Sequence, residues 1–124
     1  MTHRLLIVAR MDPGAWSDVA GLFAESDASD LPHDLGVVRR DLYAYQGLYF
    51  HHVEFAGSPD AAMARARDRA DFRRLSADLE PYVRPYDPAT WRSPADATAT
   101  PFYRWTPGAP EAWGTGVARG AAAP

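Results

Sequence analysis

Six segments in the order strand, helix, strand, strand, helix, strand predict an α+β fold for this chain of 124 residues. That order is the ferredoxin-like βαββαβ arrangement, an antiparallel sheet with two helices on one face. Three observations carry the expectation. Residues 3–11 form an apolar run, as a buried strand requires. Residues 36–44 and 48–56 flank Gln46-Gly47, a two-residue turn with glycine where φ must be positive. Pro13 and Pro59 each follow a capping residue and open a helical segment.

The elements follow in order. Residues 3–11 read as a central strand. Asp12 is expected to cap the next helix, residues 13–25, in which Trp16, Val19, Ala20 and Phe23 recur at helical spacing. Residues 26–35 are polar, contain Pro32 and read as a loop. The hairpin strands follow. Ser58 caps a second helix over 59–83, whose stripe is Phe72, Leu75, Leu79 and Tyr82, with a polar interruption at 68–71 that marks a kink. Residues 84–97 carry Pro85, Pro88 and Pro94 and read as an irregular crossing. Residues 98–105 are the last strand. One domain over 1–106 is expected, then a disordered tail over 107–124.

Composition excludes several functions. The chain is 47% hydrophobic, so it carries enough apolar residues for a core, and its net charge of −3 gives no general affinity for nucleic acid. It has no cysteine, hence no thiolate nucleophile and no zinc finger. It also has no lysine, so no Schiff base and no P-loop. The longest apolar run spans residues 5–9, too short for a bilayer, and no secretory signal opens the chain. A cytoplasmic protein is expected. The four histidines show no metal-ligand spacing, and no cofactor motif is present.

The hairpin allows a geometric deduction. With Gln46-Gly47 as the loop, Tyr45 pairs with Leu48, Leu42 with His51 and Arg40 with Val53. Alternation then puts Val38, Arg40, Leu42 and Ala44 on one face with Tyr49, His51, Val53 and Phe55. That face is mostly apolar and is the helix-covered interior. Arg40 and His51 both point into it as diagonal neighbours about 7–8 Å apart. A guanidinium there must pair with a buried carboxylate, reach an edge, or meet a ligand. His51 is either a hydrogen-bonded core residue or an acid/base group. The opposite face carries Arg39, Asp41, Tyr43, Tyr45, Phe50, His52 and Glu54, a mixture that a symmetric dimer would cover.

Several stretches resemble the small aromatic polyketide cyclases of the tetracenomycin-cyclase type. They are Arg10-Met11-Asp12-Pro13, Phe23-Ala24-Glu25-Ser26-Asp27, Leu31-Pro32, Gly36-Val37, Arg39-Arg40, Leu48-Tyr49, His51 and Glu54. Ala66-Arg67, Phe72, Pro85-Tyr86, Trp91, Phe102-Tyr103 and Trp105 continue the likeness over residues 3–106. The resemblance implies a dimeric, α+β barrel-like assembly. It also implies cofactor-independent ring closure of a poly-β-ketone, or of a partly cyclised intermediate, by aldol condensation and dehydration. By position it implies catalytic roles for His51, Arg40 and Asp27. His51 would be the general base and later the acid, and Arg40 the cation that stabilises an enolate or alkoxide. Ser26, which stands where the family commonly has histidine, and Arg67 join the substrate-binding residues. Trp16, Phe23, Tyr49, Phe55 and Phe72 are the candidate walls. The expected partners are a polyketide substrate, a second copy of the chain and subunits of a type II polyketide synthase. The competing readings are a cofactorless quinone-forming monooxygenase of similar fold and a non-catalytic polyphenol-binding module.

Overall fold

The first strand, β1 (His3–Met11), sits inside a four-stranded antiparallel sheet, which is why it is apolar on both faces. A computed structural model describes residues 2–92, 94–108 and 111–112. After β1, a 3-10 turn over Pro13–Ala15 leads into α1 (Trp16–Asp27). A short helix, α2 (Leu31–Leu35), precedes β2 (Val37–Tyr45) and β3 (Leu48–Phe55). Then come α3 (Pro59–Arg67), α4 (Ala70–Leu79) and β4 (Val83–Arg84). The sheet order is β2-β3-β1-β4, as the ferredoxin-like arrangement requires. A separate small ladder pairs β5 (Tyr103–Arg104) with β6 (Glu111–Ala112).

The hairpin register is the one deduced: Tyr45 faces Leu48, Leu42 faces His51 and Arg40 faces Val53. The turn holds because Gln46 and Gly47 both take positive φ, 46° and 81°. The register slips at one point. A bulge between Val37 and Arg39 pairs Val37 with Phe55, so Val38 leaves the interior face and is 56% exposed.

Four other expectations change. Asp12 makes no side-chain cap; Arg84 holds its carboxylate instead, Nη2 to Oδ1 at 2.8 Å. The loop over 26–35 contains α2, because Pro32 fits a first helical turn and Gly36 (φ 79°) closes it in the left-handed conformation. The long second helix is two helices. Arg69 is extended between them (φ −96°, ψ 129°), and its guanidinium binds Asp34 at 2.7 Å and Asp71 at 2.9 Å. Residues 98–105 are not the fourth strand. That place is taken by β4, which stops after two residues because Pro85 has no N–H to offer the ladder. Thr98 forms an isolated bridge to Ile7, outside any strand. The tail expected over 107–124 lies outside the described residues, apart from 107–108 and 111–112.

The core is two clusters on the helix-covered face. One joins Ala9, Met11, Ala15, Val19, Phe23 and Tyr49, with Leu75 and Leu79 of α4 against it. The other joins Leu31, Leu35, Val53, Phe55, Ala62 and Ala66, with Met63 and Phe72 against it. Residues of both clusters line one shared cavity.

Candidate active site

Alternation along β3 aims Tyr49, His51, Val53 and Phe55 at the helices, and all four are buried. Tyr49 lies between Ala9 on β1 and Ala44 on β2, two small neighbours that leave its ring room. His51 lies between Ile7 and Leu42, so its imidazole is flanked by hydrocarbon. Arg40 enters the same face from β2. Asp27 comes from the last residue of α1, which runs two residues beyond the span read from the sequence.

Asp27, Arg40, His51 and Tyr49 form one hydrogen-bonded chain. Arg40 donates from Nε to Asp27 Oδ2 at 3.0 Å and from Nη2 to Oδ1 at 2.8 Å, a bidentate ion pair. The last turn of α1 has no basic residue of its own, and a carboxylate at a helix C-terminus is unfavourable; the Arg40 cation offsets both. The Arg40 guanidinium also lies 4.9 Å from the Phe23 ring centroid, a cation–π contact. From Nη1, Arg40 reaches His51 Nε2 at 2.9 Å. His51 Nδ1 lies 3.2 Å from the Tyr49 hydroxyl.

Arginine only donates, so His51 Nε2 must accept, and the ring proton must sit on Nδ1. The imidazole is neutral. Burial, and then the neighbouring Arg40 charge, push its pKa down to about 3 against a weaker opposing pull from Asp27. His51 is 8% exposed, which agrees with that cause. A base whose lone pair is held by a cation takes up a proton poorly. Burial also holds the Tyr49 hydroxyl well above its ordinary range, so it stays protonated.

The cavity beside this chain is about 330 Å³, within the range of small-molecule sites. Phe23, Tyr49, Phe55, Phe72, Arg40 and His51 all line it, together with Leu5, Ile7, Leu31, Leu35, Val37, Met63 and Trp91. The structure therefore brings together Asp27, Arg40, His51, Tyr49 and Phe23, with Phe55 and Phe72 as further walls. It places three expected residues elsewhere. Trp16 opens α1 at 58% exposure, and Ala15 takes the buried position there. Arg67 is exposed, and its carbonyl accepts from Arg73. Ser26 faces a different groove, beside Ser29 and Asp71.

Sequence reasoning missed Ser76 and Glu80, which bring a hydroxyl and a carboxylate to the cavity lining. The signal was present: they follow Phe72 at i+4 and i+8, on the same helix face. Among the described residues no cluster of three His, Cys, Asp or Glu side chains could hold a metal ion. Among the same residues no helix is long and apolar enough to cross a membrane.

A family model for polyketide synthesis cyclases matches residues 3–106. An uncharacterized protein of Streptomyces coelicolor is 52% identical over 104 residues, covering 83% of this chain and 94% of that one. The polyketide synthase CurG of Streptomyces cyaneus is 43% identical over 103 residues, covering 83% and 96%. Tetracenomycin F2 cyclase of Streptomyces glaucescens is 36% identical over 106 residues, covering 86% and 96%. Its solved structure, described as that of a type-II polyketide cyclase, aligns with a TM-score of 0.77 over 84% of this chain and 97% of that one.

Proposed function

This chain belongs to the polyketide synthesis cyclase family and is a polyketide cyclase, and we propose that it closes a ring in a poly-β-ketone, or in a partly cyclised intermediate, by cofactor-independent aldol condensation and dehydration. The observation that supports this reading is the Asp27–Arg40–His51–Tyr49 chain, whose last three members line an apolar cavity.

The chemistry balances without an oxidant or reductant. A carbon between two carbonyls loses a proton to solvent, which needs little help because that proton is already acidic. The resulting enolate carbon attacks a second carbonyl of the same chain. A C–C bond forms, the carbonyl π bond breaks, and the new alkoxide takes a proton. Loss of that hydroxyl with a neighbouring hydrogen releases one water. The cavity contributes shape: a flat, flexible chain held there brings one pair of carbons together. Arg40 contributes charge. Of its five N–H groups, Nε and one each on Nη1 and Nη2 are engaged, which leaves two for a substrate oxygen. His51 keeps a place in this site with a changed role. With Nε2 held by Arg40 and its pKa near 3, it positions its neighbours and is not the base that takes the substrate proton.

The protein is further proposed to work as a homodimer that covers the outer sheet face, where Tyr43 and Tyr45 are exposed. Synthase subunits that deliver the chain are its expected partners. The deciding experiment supplies the protein to a ketosynthase pair with its acyl carrier protein and weighs the products. A product lighter than the linear chain by one water per ring, formed without oxygen uptake, is expected. A product gaining an oxygen atom would reassign the chain to the monooxygenase class. Unchanged products with tight polyphenol binding would make it a binding module.

A further inference from the structure

Resting on the cyclase reading, we propose that the Tyr49 hydroxyl is a catalytic residue, the hydrogen-bond donor to the developing enolate or alkoxide oxygen, and not merely a wall of the cavity. Arg40 has no acceptor, so the contact at 2.9 Å requires His51 Nε2 to accept. The imidazole proton is therefore on Nδ1. The contact at 3.2 Å then runs from His51 Nδ1–H to the Tyr49 oxygen. It follows that Tyr49 cannot spend its own proton on His51. Among the described residues no other partner meets that hydroxyl, yet Tyr49 is buried and lines the cavity. A buried donor without an acceptor is costly, and a ligand oxygen would satisfy it.

The direction of the chain sharpens the donor. A cation donates to the imidazole, the imidazole donates to the hydroxyl, and the hydroxyl is left to donate outward. Each bond polarises the next, so the last proton is more strongly offered than that of an isolated phenol. Burial keeps the hydroxyl protonated, so it serves as a donor and not as a base. Asp27 and His51 are then positioning residues for two donors, Arg40 and Tyr49, that present to the same cavity.

The test uses 2-naphthol, a flat phenol whose neutral and anionic forms absorb at different wavelengths, as a stable stand-in for an enolate. Bound to the wild-type protein, its ionisation should move down by about one pH unit relative to water. Tyr49→Phe removes one oxygen and leaves the ring. It should abolish most of that shift while neutral 2-naphthol still binds. The same variant should lower kcat for ring closure by about 100-fold, with KM changed by less than about threefold. A shift retained in Tyr49→Phe would assign the anion to Arg40 alone and overturn the inference. Should the variant fold poorly, the wild-type protein still decides. Saturation with 2-naphthol should produce a proton resonance far downfield of the amides, and its absence overturns the inference. Failure of the cyclase reading would look different, because wild-type protein would then form no cyclised product whatever 2-naphthol does.

Discussion

Arg39 and Arg40 are neighbours in the chain, and so are His51 and His52, yet each pair divides across the two faces of the same hairpin. On the outer face Arg39 takes the nearest carboxylate, Asp41 two residues along its own strand, Nε to Oδ2 at 2.8 Å. His52 lies 3.9 Å from that same Asp41. All three reach water. On the inner face Arg40 reaches past its own strand to Asp27 at the end of α1, and His51 is sealed among Ile7, Leu42 and Phe23. The residue types are the same. What differs is the partner's distance along the chain and the water around it. A local pair in water is one of many equivalent arrangements. A non-local pair at the mouth of an apolar hollow, with His51 and Tyr49 buried behind it, fixes where a charge, a tautomer and a hydroxyl proton must be.

The comparison breaks if the two arginines prove interchangeable. Arg40→Ala removes the charge, one donor to the substrate and the group that fixes the His51 tautomer. Ring closure should slow by about 100- to 1,000-fold. Arg39→Ala should leave the initial rate within about twofold, the ordinary range for a surface change. Equal losses in the two variants would mean that the inner chain has no special part in the reaction. Arg40→Lys refines the outcome, because it keeps a charge and loses the planar fork that meets Asp27 and His51 together.

The hairpin face was legible because strand alternation has a period of two, and a two-residue turn fixes the pairing without reference to anything distant. That is why the meeting of Arg40 and His51 could be deduced from numbering alone. The deduction stopped at Val38, where one extra residue slips the ladder. Helix rotation was less legible. The stripe Trp16, Val19, Ala20, Phe23 is correct for Val19 and Phe23; Ala20 is exposed, and because a 3-10 turn precedes α1, Ala15 fills the buried place at its start. The short elements α2 and β4 carry too few residues to show a period. Position just past the expected end of α1 puts Asp27 near the cavity mouth, and family resemblance adds a catalytic role; its partner became clear only when α1 was seen to extend through it. Tyr49 read as a wall, because nothing in a sequence says which way a hydroxyl proton points.

Burial of His51 also makes the stability of the protein depend on pH. His51 ionises near 3 in the folded protein and near its ordinary value when unfolded. Between those values the unfolded chain binds a proton that the native state does not. Stability should therefore fall as pH drops below about 6.5, by up to about 1.4 kcal/mol for each pH unit. Urea unfolding of His51→Gln should show a shallower acid limb than wild type. Parallel limbs for the two proteins would mean that His51 is not held neutral.

Asp27→Asn should have a smaller effect. The amide keeps the shape and one acceptor but drops the charge that holds the Arg40 fork. Because the carboxylate is half-exposed, screening limits the stability loss to about 0.5–1 kcal/mol. The rate should fall by about tenfold, an effect carried through Arg40 placement and visible in kcat more than in KM. A rate unchanged in this variant would show that the Phe23 ring and His51 suffice to hold the guanidinium.

The smallest effect belongs to the outer pair and is the control for all the others. Arg39 and Asp41 touch at 2.8 Å, a shorter contact than that between Arg40 and His51, so distance alone would rank them as strong. Solvent argues otherwise. Both side chains are hydrated before and after pairing, and holding two flexible groups in register uses up much of the modest attraction. In protein dilute enough to be monomeric, the Arg39→Ala and Asp41→Ala variants, and the double variant, should unfold at the same urea concentration as wild type within scatter. Any residual coupling should vanish in molar salt, where screening shortens to about 3 Å. At concentrations where the homodimer proposed above covers this face, the coupling should become salt-resistant. Light scattering at the same protein concentrations would then have to report twice the monomer mass.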